Sequence, residues 1–284
     1  IGLGADILTF ANFLGEGQAE RQFQAAPGSG FPAGTGMELN GKGTTAGLNA
    51  SVLYTPWRTA EGQPRLSFAG IWRSQAVLPL NGELRANGVS AALASTAIRL
   101  PEVWTGGLAF WPIRNAERAW KLEVDVDYVR WQSIRSADVR LSNGATLPSP
   151  QQWKNTVTVN IGTEYTWFGL TDTQAWNVAL RTGYIRSHTP VSDLNFDPAY
   201  ADSDAHVVSA GVGFSCHTGG KFFGLISCAD AEKRFFAKHS MGMDLAYQAF
   251  LFDPRTVTGN PNPTVNGTYR TTNHAGAVTF RVGF

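Results

Sequence analysis

The segment WKLEVDVDY, residues 120–128, alternates apolar and charged side chains without a break. Every even-numbered residue is apolar or aromatic, and every odd-numbered residue is charged. A period of two is typical of a β-strand whose two faces meet different environments. Because a soluble sheet with one wet face produces the same pattern, this segment predicts a strand and leaves its surroundings open.

Two further segments repeat the alternation. In NTVTVNIGTEYTW, residues 155–167, Val157, Val159 and Ile161 begin an apolar side, and Thr, Asn and Glu occupy the other. WNVALRTGY, residues 176–184, behaves in the same way. Polar residues therefore occupy one entire face of several strands, and this pattern favours a sheet with one polar and one apolar face.

The aromatic residues stand at the ends of these strands. Trp120 and Tyr128 are eight positions apart, as are Trp176 and Tyr184. Eight residues span about 26 Å at roughly 3.3 Å per residue, or near 20 Å when tilted by about 40°. This is close to the roughly 25 Å apolar band between the aromatic girdles of outer-membrane barrels. The spacing predicts a transmembrane antiparallel β-barrel in which these four aromatic residues face lipid.

Seven more strands are predicted, which makes ten in all. The seven lie at residues 5–14, 45–57, 65–77, 102–113, 205–214, 238–251 and 274–284. Short connections, such as residues 58–64 and 115–118, alternate with long connections rich in Gly, Pro, Ser and Asn. This alternation is also typical of outer-membrane barrels, which have short periplasmic turns and long extracellular loops.

Composition excludes several classes of function. The formal net charge is +1, so no bulk field gathers nucleic acid. No apolar run approaches the roughly 18 residues that a spanning helix needs. Motifs such as G-x-S-x-G, the P-loop and H-E-x-x-H are absent from the sequence. A lipase using His206 lacks a supporting Ser, so we expect neither an enzyme nor a cofactor.

Cys216 and Cys228 are twelve positions apart and suit a disulfide in an oxidising compartment. A metal site with His217 and His239 is the alternative, although the spacing matches no compact ligand set. A separate acidic stretch offers carboxylates for Ca²⁺, yet it has no EF-hand spacing, and a solvated loop is the other interpretation. Its members are Asp193, Asp197, Asp202 and Asp204.

Several motifs, in this order, resemble the FadL family of long-chain fatty-acid and hydrocarbon transporters, which includes the TodX-type proteins. They are TAGLNASVLYTPW at 45–57, LPEVW at 100–104, WKNTVTVNIGTEYTW at 153–167, WNVALRTGYIRSHTPV at 176–191 and DSDAHVVSAGVGF at 202–214. Terminal Phe284 also resembles the C-terminal aromatic signal that the outer-membrane insertion machinery recognises. Ala205 departs from the family, which often has Arg there, so Asp202 and Asp204 need another partner.

The resemblance implies a fourteen-stranded barrel with an N-terminal plug and a sideways opening toward lipid. Since ten strands are readable here, residues 1–284 are expected to be the C-terminal part of one barrel domain. The first four strands and the plug would then precede Ile1. Residues 215–238 replace a short turn of the family, and their role is open.

Lys154 stands in the aromatic-Lys-Asn setting that contributes to the interior ligand site of the family, and strand alternation turns it inward. A lumen ammonium can pair with a fatty-acid carboxylate; a Lys at a strand end that pairs with a lumen carboxylate is the alternative. Arg181 is the second candidate, with Glu164 as its competing partner. The other residues predicted inside the barrel are Arg73, Lys121, Glu123, Asp125, Asp127, Asp244 and Arg281.

The apolar stretch GVSAALASTAIRL, residues 88–100, lies in a connection predicted to be extracellular. In the family such loops form a groove that first captures ligand, which makes Val89, Leu93 and Ile98 candidates here. A short helix that buries these side chains is the alternative.

The sequence thus predicts an outer-membrane protein that passes hydrophobic small molecules, with long-chain fatty acids favoured, by binding and passive diffusion. The expected partners are the lipophilic ligand, outer-membrane lipid and lipopolysaccharide, and the insertion machinery. A general aqueous porin and a structural or adhesive barrel are the competing functions. A porin keeps a water-filled lumen that conducts ions, whereas a transporter of this kind has a plugged lumen that binds a lipophilic ligand.

Overall fold

The computed structural model of this chain describes residues 1–10, 17–25, 30–171, 173–198, 202–229 and 239–283. The described part contains twenty strands. In chain order they are β1 (Gly2–Phe10), β2 (Ala19–Gln24), β3 (Gly36–Gly41), β4 (Gly43–Arg58), β5 (Pro64–Arg73), β6 (Ala76–Ala86), β7 (Val89–Leu100), β8 (Val103–Arg114), β9 (Arg118–Val129), β10 (Val139–Leu141), β11 (Thr146–Leu147), β12 (Thr156–Trp167), β13 (Trp176–Ser187), β14 (Ala205–Cys216), β15 (Lys221–Phe222), β16 (Ile226–Ser227), β17 (Ser240–Phe252), β18 (Arg255–Val257), β19 (Gly267–Tyr269) and β20 (Thr272–Gly283). Three short 3₁₀ turns accompany them, at Trp131–Ser133, Asp193–Asn195 and Pro263–Val265.

Ten of these strands form one antiparallel sheet in the order β1-β4-β5-β8-β9-β12-β13-β14-β17-β20. Each strand of this sheet therefore pairs with the next member of the same sheet along the chain, as in a barrel wall of antiparallel neighbours. These are the ten strands predicted from the sequence. The first begins earlier than predicted, at Gly2, and ends at Phe10, and residues 11–14 of the prediction lie outside the described part.

The register keeps the two faces of the sheet distinct. Val157 lies opposite Tyr128, and Ile161 lies opposite both Val124 and Tyr184. Since side chains alternate along a strand, the charged residues that lie between these positions project from the other face. Each of the two predicted aromatic pairs lies on the apolar face, although Trp176 is partly covered by a stacked Phe222.

The apolar face is exposed in the chain by itself. Ile161 and Leu180 are each 49% exposed, and Phe280 is 66% exposed. An apolar surface of this extent is costly in water, so the face requires an apolar environment. No helix in the described part is long and apolar enough to cross a membrane.

The connections differ sharply between the two ends of the sheet. Short turns join β4 to β5 and β8 to β9 at one end, whereas most long connections leave from the opposite end. The connection between β14 and β17 is long and leaves from the short-turn end. In the described residues, the long connections contribute a second antiparallel sheet in the order β11-β10-β7-β6-β3-β2. Much of these long connections is therefore regular β-structure, because their backbone groups pair with one another.

Residues 88–100 belong to a β-hairpin and not to the short helix considered as an alternative. Strand β7 pairs along its length with β6. Asn87 and Gly88 join the two strands with φ values of +47° and +80°. Asn-Gly is the preferred pair for a tight hairpin turn that needs two left-handed residues, so the local turn chemistry outweighs the helix propensity of the alanines.

The described strands leave the large sheet open, because β1 and β20 pair with only one neighbour each. Terminal Phe284, the predicted signal for the insertion machinery, lies outside the described residues.

Candidate functional site

A chain of ion pairs crosses the charged face of the sheet. Arg181 on β13 donates from Nε to Glu164 on β12 at 2.5 Å and from Nη1 to Asp244 on β17 at 2.7 Å. Arg281 on β20 contacts the other oxygen of Asp244 at 2.7 Å. The pairs connect β12, β13, β17 and β20, and they stiffen the wall in the way expected of lumen charges. Glu164 is thus an ion-pair partner of Arg181, which is the alternative to a ligand contact that the sequence analysis named.

This chain of ion pairs borders a cavity of about 1140 Å³ at the short-turn end of the charged face. Trp111 and Phe168 supply apolar surface to the cavity, and arginines dominate its charge. The lining arginines are Arg58, Arg65, Arg114, Arg181 and Arg281, against Glu61 and Glu164. A cavity with aromatic surface and convergent cations suits an amphiphile that carries an acidic group.

Three of these arginines have no carboxylate within ion-pair distance in the described part of the chain. Arg58 donates to the carbonyl oxygen of Gly62 at 2.9 Å, and Arg65 donates to that of Pro112 at 2.9 Å. Arg114 donates to Oε1 of Gln63 at 3.2 Å, and its guanidinium lies 4.8 Å from the centre of the Trp111 ring. These neutral acceptors position the three side chains, and Glu61, which also lines the cavity, interacts electrostatically with Arg65 beyond ion-pair distance.

Lys154 lies elsewhere, at the rim formed by the long connections. It precedes the first residue of β12 by two positions, where strand alternation no longer determines the direction of a side chain. Its exposed side chain borders a depression of about 810 Å³ together with His188, Asp204 and Asp253. It does not line the cavity on the charged face.

Arginines already occupy the carboxylates around this depression. Arg186 contacts Asp204 at 3.3 Å and Asp253 at 2.9 Å, and Arg255 contacts Asp193 at 2.8 Å. Lys154 forms no ion pair within the described residues. Arg186 is therefore the partner that Asp204 requires because Ala205 offers no charge.

Arg255, in the connection between β17 and β20, forms hydrogen bonds to the connection between β13 and β14. It donates to the carbonyl oxygens of Asp202 at 2.6 Å and Val191 at 2.7 Å, and its guanidinium lies 4.8 Å from the centre of the Phe196 ring. Burial raises the pKa of the Asp202 carboxyl above its usual range, and this effect outweighs the opposing influence of Thr189 and Arg255. No group of three potential metal ligands is present in the described part of these connections.

The three candidate loop residues do not share one surface. Val89 and Leu93 are 70% and 63% exposed. Ile98 is five positions beyond Leu93 on the same strand, so the two side chains project from opposite faces of the second sheet. A single groove formed by both residues does not fit this geometry.

The structure joins Cys216 and Cys228 in a disulfide, with 5.6 Å between their Cα atoms. Both cysteines are completely buried beside Phe222, and Trp176, Met241 and Met243 pack against them. The two thiols that the metal alternative requires are therefore used in the bond.

Sequence reasoning missed the arginines of the large cavity. Arg58 and Arg65 flank the turn between β4 and β5, and Arg114 ends β8 before the next short turn. Arginine at the ends of strands that share a short turn was the available signal, because such turns all lie at one end of a barrel.

Residues 1–220 match the family described as outer membrane protein transport protein (OMPP1/FadL/TodX). No curated protein matches the chain significantly. The fold is similar to the crystal structure of a Pseudomonas aeruginosa FadL homologue, with a TM-score of 0.61 and 17% identity over 99% of this chain and 63% of that one. A likeness to the CymD monoaromatic hydrocarbon channel has a TM-score of 0.41 and 17% identity over 88% of this chain and 52% of that one.

The chain thus spans less than two thirds of the length of these solved structures. The family match, by contrast, extends over 220 of the 284 residues and includes eight strands of the large sheet. The polar and apolar faces, the meander of strands and this match agree: the chain belongs to the OMPP1/FadL/TodX family of outer-membrane β-barrel transport proteins.

Proposed function

We propose that the protein passes hydrophobic small molecules across the outer membrane, and that long-chain fatty acids are its preferred ligands. The observation that carries the proposal is the cavity whose Arg58, Arg65 and Arg114 have no carboxylate partner in the described residues. A fatty acid brings a carboxylate for these cations and an acyl chain for the aromatic surface.

The proposal concerns a complete barrel. Open strand edges in a bilayer leave backbone groups without hydrogen bonds, so further strands are required beside β1 and β20. We infer that the described sheet is the C-terminal part of that barrel and that a plug from a preceding segment occupies its interior. An aqueous porin, the alternative function, would leave the same interior filled with water and conduct ions.

Lys154 is proposed as the cation that receives the carboxylate at the rim, before the ligand reaches the arginines at the other end. Its lack of an ion pair among the described residues supports this role. Arg181 is proposed as a further contact inside the lumen, where a ligand would compete with Glu164 and Asp244. Val89, Leu93 and Ile98 remain proposals for initial capture, and Leu93 and Ile98 would contact a ligand from opposite faces of the second sheet.

Lys154→Met tests the proposal. We expect the variant to bind a long-chain fatty acid less tightly, because a charge-assisted contact contributes about 1.5–3 kcal/mol, or roughly 10- to 150-fold in affinity. A neutral hydrocarbon has no carboxylate, so its affinity should stay unchanged. Titration of both ligands against the full-length protein and the variant in detergent measures the contrast.

Arg21→Met, which removes an exposed cation from β2, is the matched control and should change neither affinity. Heat-modifiable gel mobility reports that all three proteins are folded. Equal fatty-acid affinities for the wild type and Lys154→Met would remove Lys154 from the site. Large ion conductance in planar bilayers would favour the porin instead.

A further inference from the structure

The connection between β14 and β17 folds back onto the outside of the barrel wall. Cys216 ends β14 opposite Trp176 and therefore lies on the apolar face. A small hairpin of β15 and β16 follows, and Phe222 stacks on Trp176 with 5.5 Å between the ring centres. Met241 and Met243 complete the contact from β17. The hairpin thus covers part of the surface that elsewhere faces lipid.

The tip of this hairpin displays apolar side chains instead of burying them. Phe223 is 71% exposed, Leu225 is 86% exposed and Ile226 is 49% exposed. Phe223 also has a φ of +52°, and Gly224 has a φ of +73°. A bulky residue in the left-handed region is uncommon and strained, so the turn displays an aromatic ring at a cost to the backbone.

The charge of the segment fits a lipid surface. Between Cys216 and Cys228 the sequence contains one Lys, no Arg, no Asp and no Glu. This lysine, Lys221, is exposed at the first position of β15. A lysine beside apolar residues places its stem along the acyl region and its ammonium among lipid phosphates.

The disulfide and two backbone contacts hold the hairpin in place. Cys228 donates its backbone N–H to the carbonyl oxygen of Gly220 at 3.0 Å, and His217 donates to that of Ala175 at 2.8 Å. The segment is therefore attached to the residue that precedes β13 as well as to its own strand. A rigid support reduces the entropy lost when the tip binds a surface.

We propose that residues 216–229 are a membrane anchor, with Phe223, Leu225 and Ile226 inserted at the boundary between headgroups and acyl chains of the periplasmic leaflet. The short-turn end of the sheet, where the hairpin lies, is the periplasmic end of such barrels. The tip continues the lipid-facing surface of Trp176 and Met243, so lipid is the partner that this surface would contact. Aromatic and aliphatic residues of this kind bind bilayer interfaces.

A photoreactive benzoylphenylalanine at Leu225 in the full-length protein tests the proposal. The labelled protein is reconstituted in vesicles of phosphatidylethanolamine and phosphatidylglycerol, irradiated, digested and examined by mass spectrometry. We expect a lipid adduct at position 225. The same label at Ala60, an exposed residue of the β4–β5 turn at the same end, borders the lumen cavity and should lack the adduct.

A second label at Phe223 repeats the test at a neighbouring position, and heat-modifiable mobility reports folding of each labelled protein. Lipid adducts at 223 or 225 well above the Ala60 background support the anchor. Adducts to protein alone, or lipid adducts no more frequent than at Ala60, overturn it and assign the tip to a protein partner or to water. Neither result depends on ligand transport.

Discussion

At the scale of single residues, the ion pair between Arg181 and Asp244 depends on a missing side chain. The two residues lie on β13 and β17, with β14 between them. Gly211 lies opposite Arg181 and Gly213 lies opposite Asp244. An added Cβ at Gly213 would lie 2.5 Å from Oδ1 of Asp244 and 2.8 Å from Nη1 of Arg181. The guanidinium crosses β14 because this glycine leaves room for it.

Gly213→Ala is therefore expected to displace the ion pair and lower the free energy of unfolding by about 1 kcal/mol, since both partners are partly exposed and screened. Gly162→Ala on β12 is the matched control, because a Cβ there meets no atom within 4 Å. The temperature of the heat-modifiable mobility change measures both. Equal temperatures for the two variants would show that Arg181 and Asp244 adapt without loss.

At the scale of elements, a disulfide and one small apolar cluster hold the described part of the connection between β14 and β17. Strands β15 and β16 each contain two residues, too few for an independently stable hairpin. Cys216, Phe222 and Cys228 form the buried centre of that cluster. The cross-link fixes a short segment that the strand pairing by itself would leave mobile.

The double variant Cys216→Ser, Cys228→Ser should lose roughly 3 kcal/mol of stability under the chain-entropy account of a loop of this length. Limited proteolysis of the folded protein should then cut within residues 217–227, where the wild type is protected. Mass spectrometry after alkylation under denaturing, non-reducing conditions counts free thiols. Two alkylated cysteines in the purified wild type would contradict the bond.

At the scale of the whole molecule, the large sheet separates a charged interior from an apolar exterior. Leu180 and Arg181 are neighbours in sequence, yet one is on the exposed apolar face and the other joins the ion pairs. The same alternation continues across β9, β12, β13 and β17. A sheet of this kind is stable only when its apolar face meets lipid and its charged face meets water or a plug.

Leu180→Arg should therefore impair insertion, because an arginine on the lipid face near the bilayer midplane costs about 2–4 kcal/mol. Thr166→Arg, on β12 and bordering the lumen cavity, should insert like the wild type. Folding into phosphatidylcholine vesicles, followed by gel mobility without heating, compares the two. Unimpaired insertion of Leu180→Arg would contradict the assignment of the faces.

The sequence by itself determined the ten strands and their two faces, because the alternation of side chains along a strand does not depend on which strands lie beside it. Residues 120–128 and 176–184 carried that signal, and the opposition of Glu164 to Arg181 was foreseen from alternation. The hairpin of β6 and β7 was also readable from Asn87-Gly88, a signal that sequence reasoning overlooked. These features are local, since turn chemistry and alternation act within a few residues.

Only the tertiary structure decided which distant residues meet. Arg58, Arg65 and Arg114 converge on one cavity because their short turns lie at the same end of the sheet. Lys154 borders a rim depression and not the cavity on the charged face. It precedes β12, so the alternation of that strand does not turn its side chain toward the barrel interior. Such placements depend on strand register and on how connections pack, and both involve residues far apart in sequence, which the pattern within any one segment does not encode.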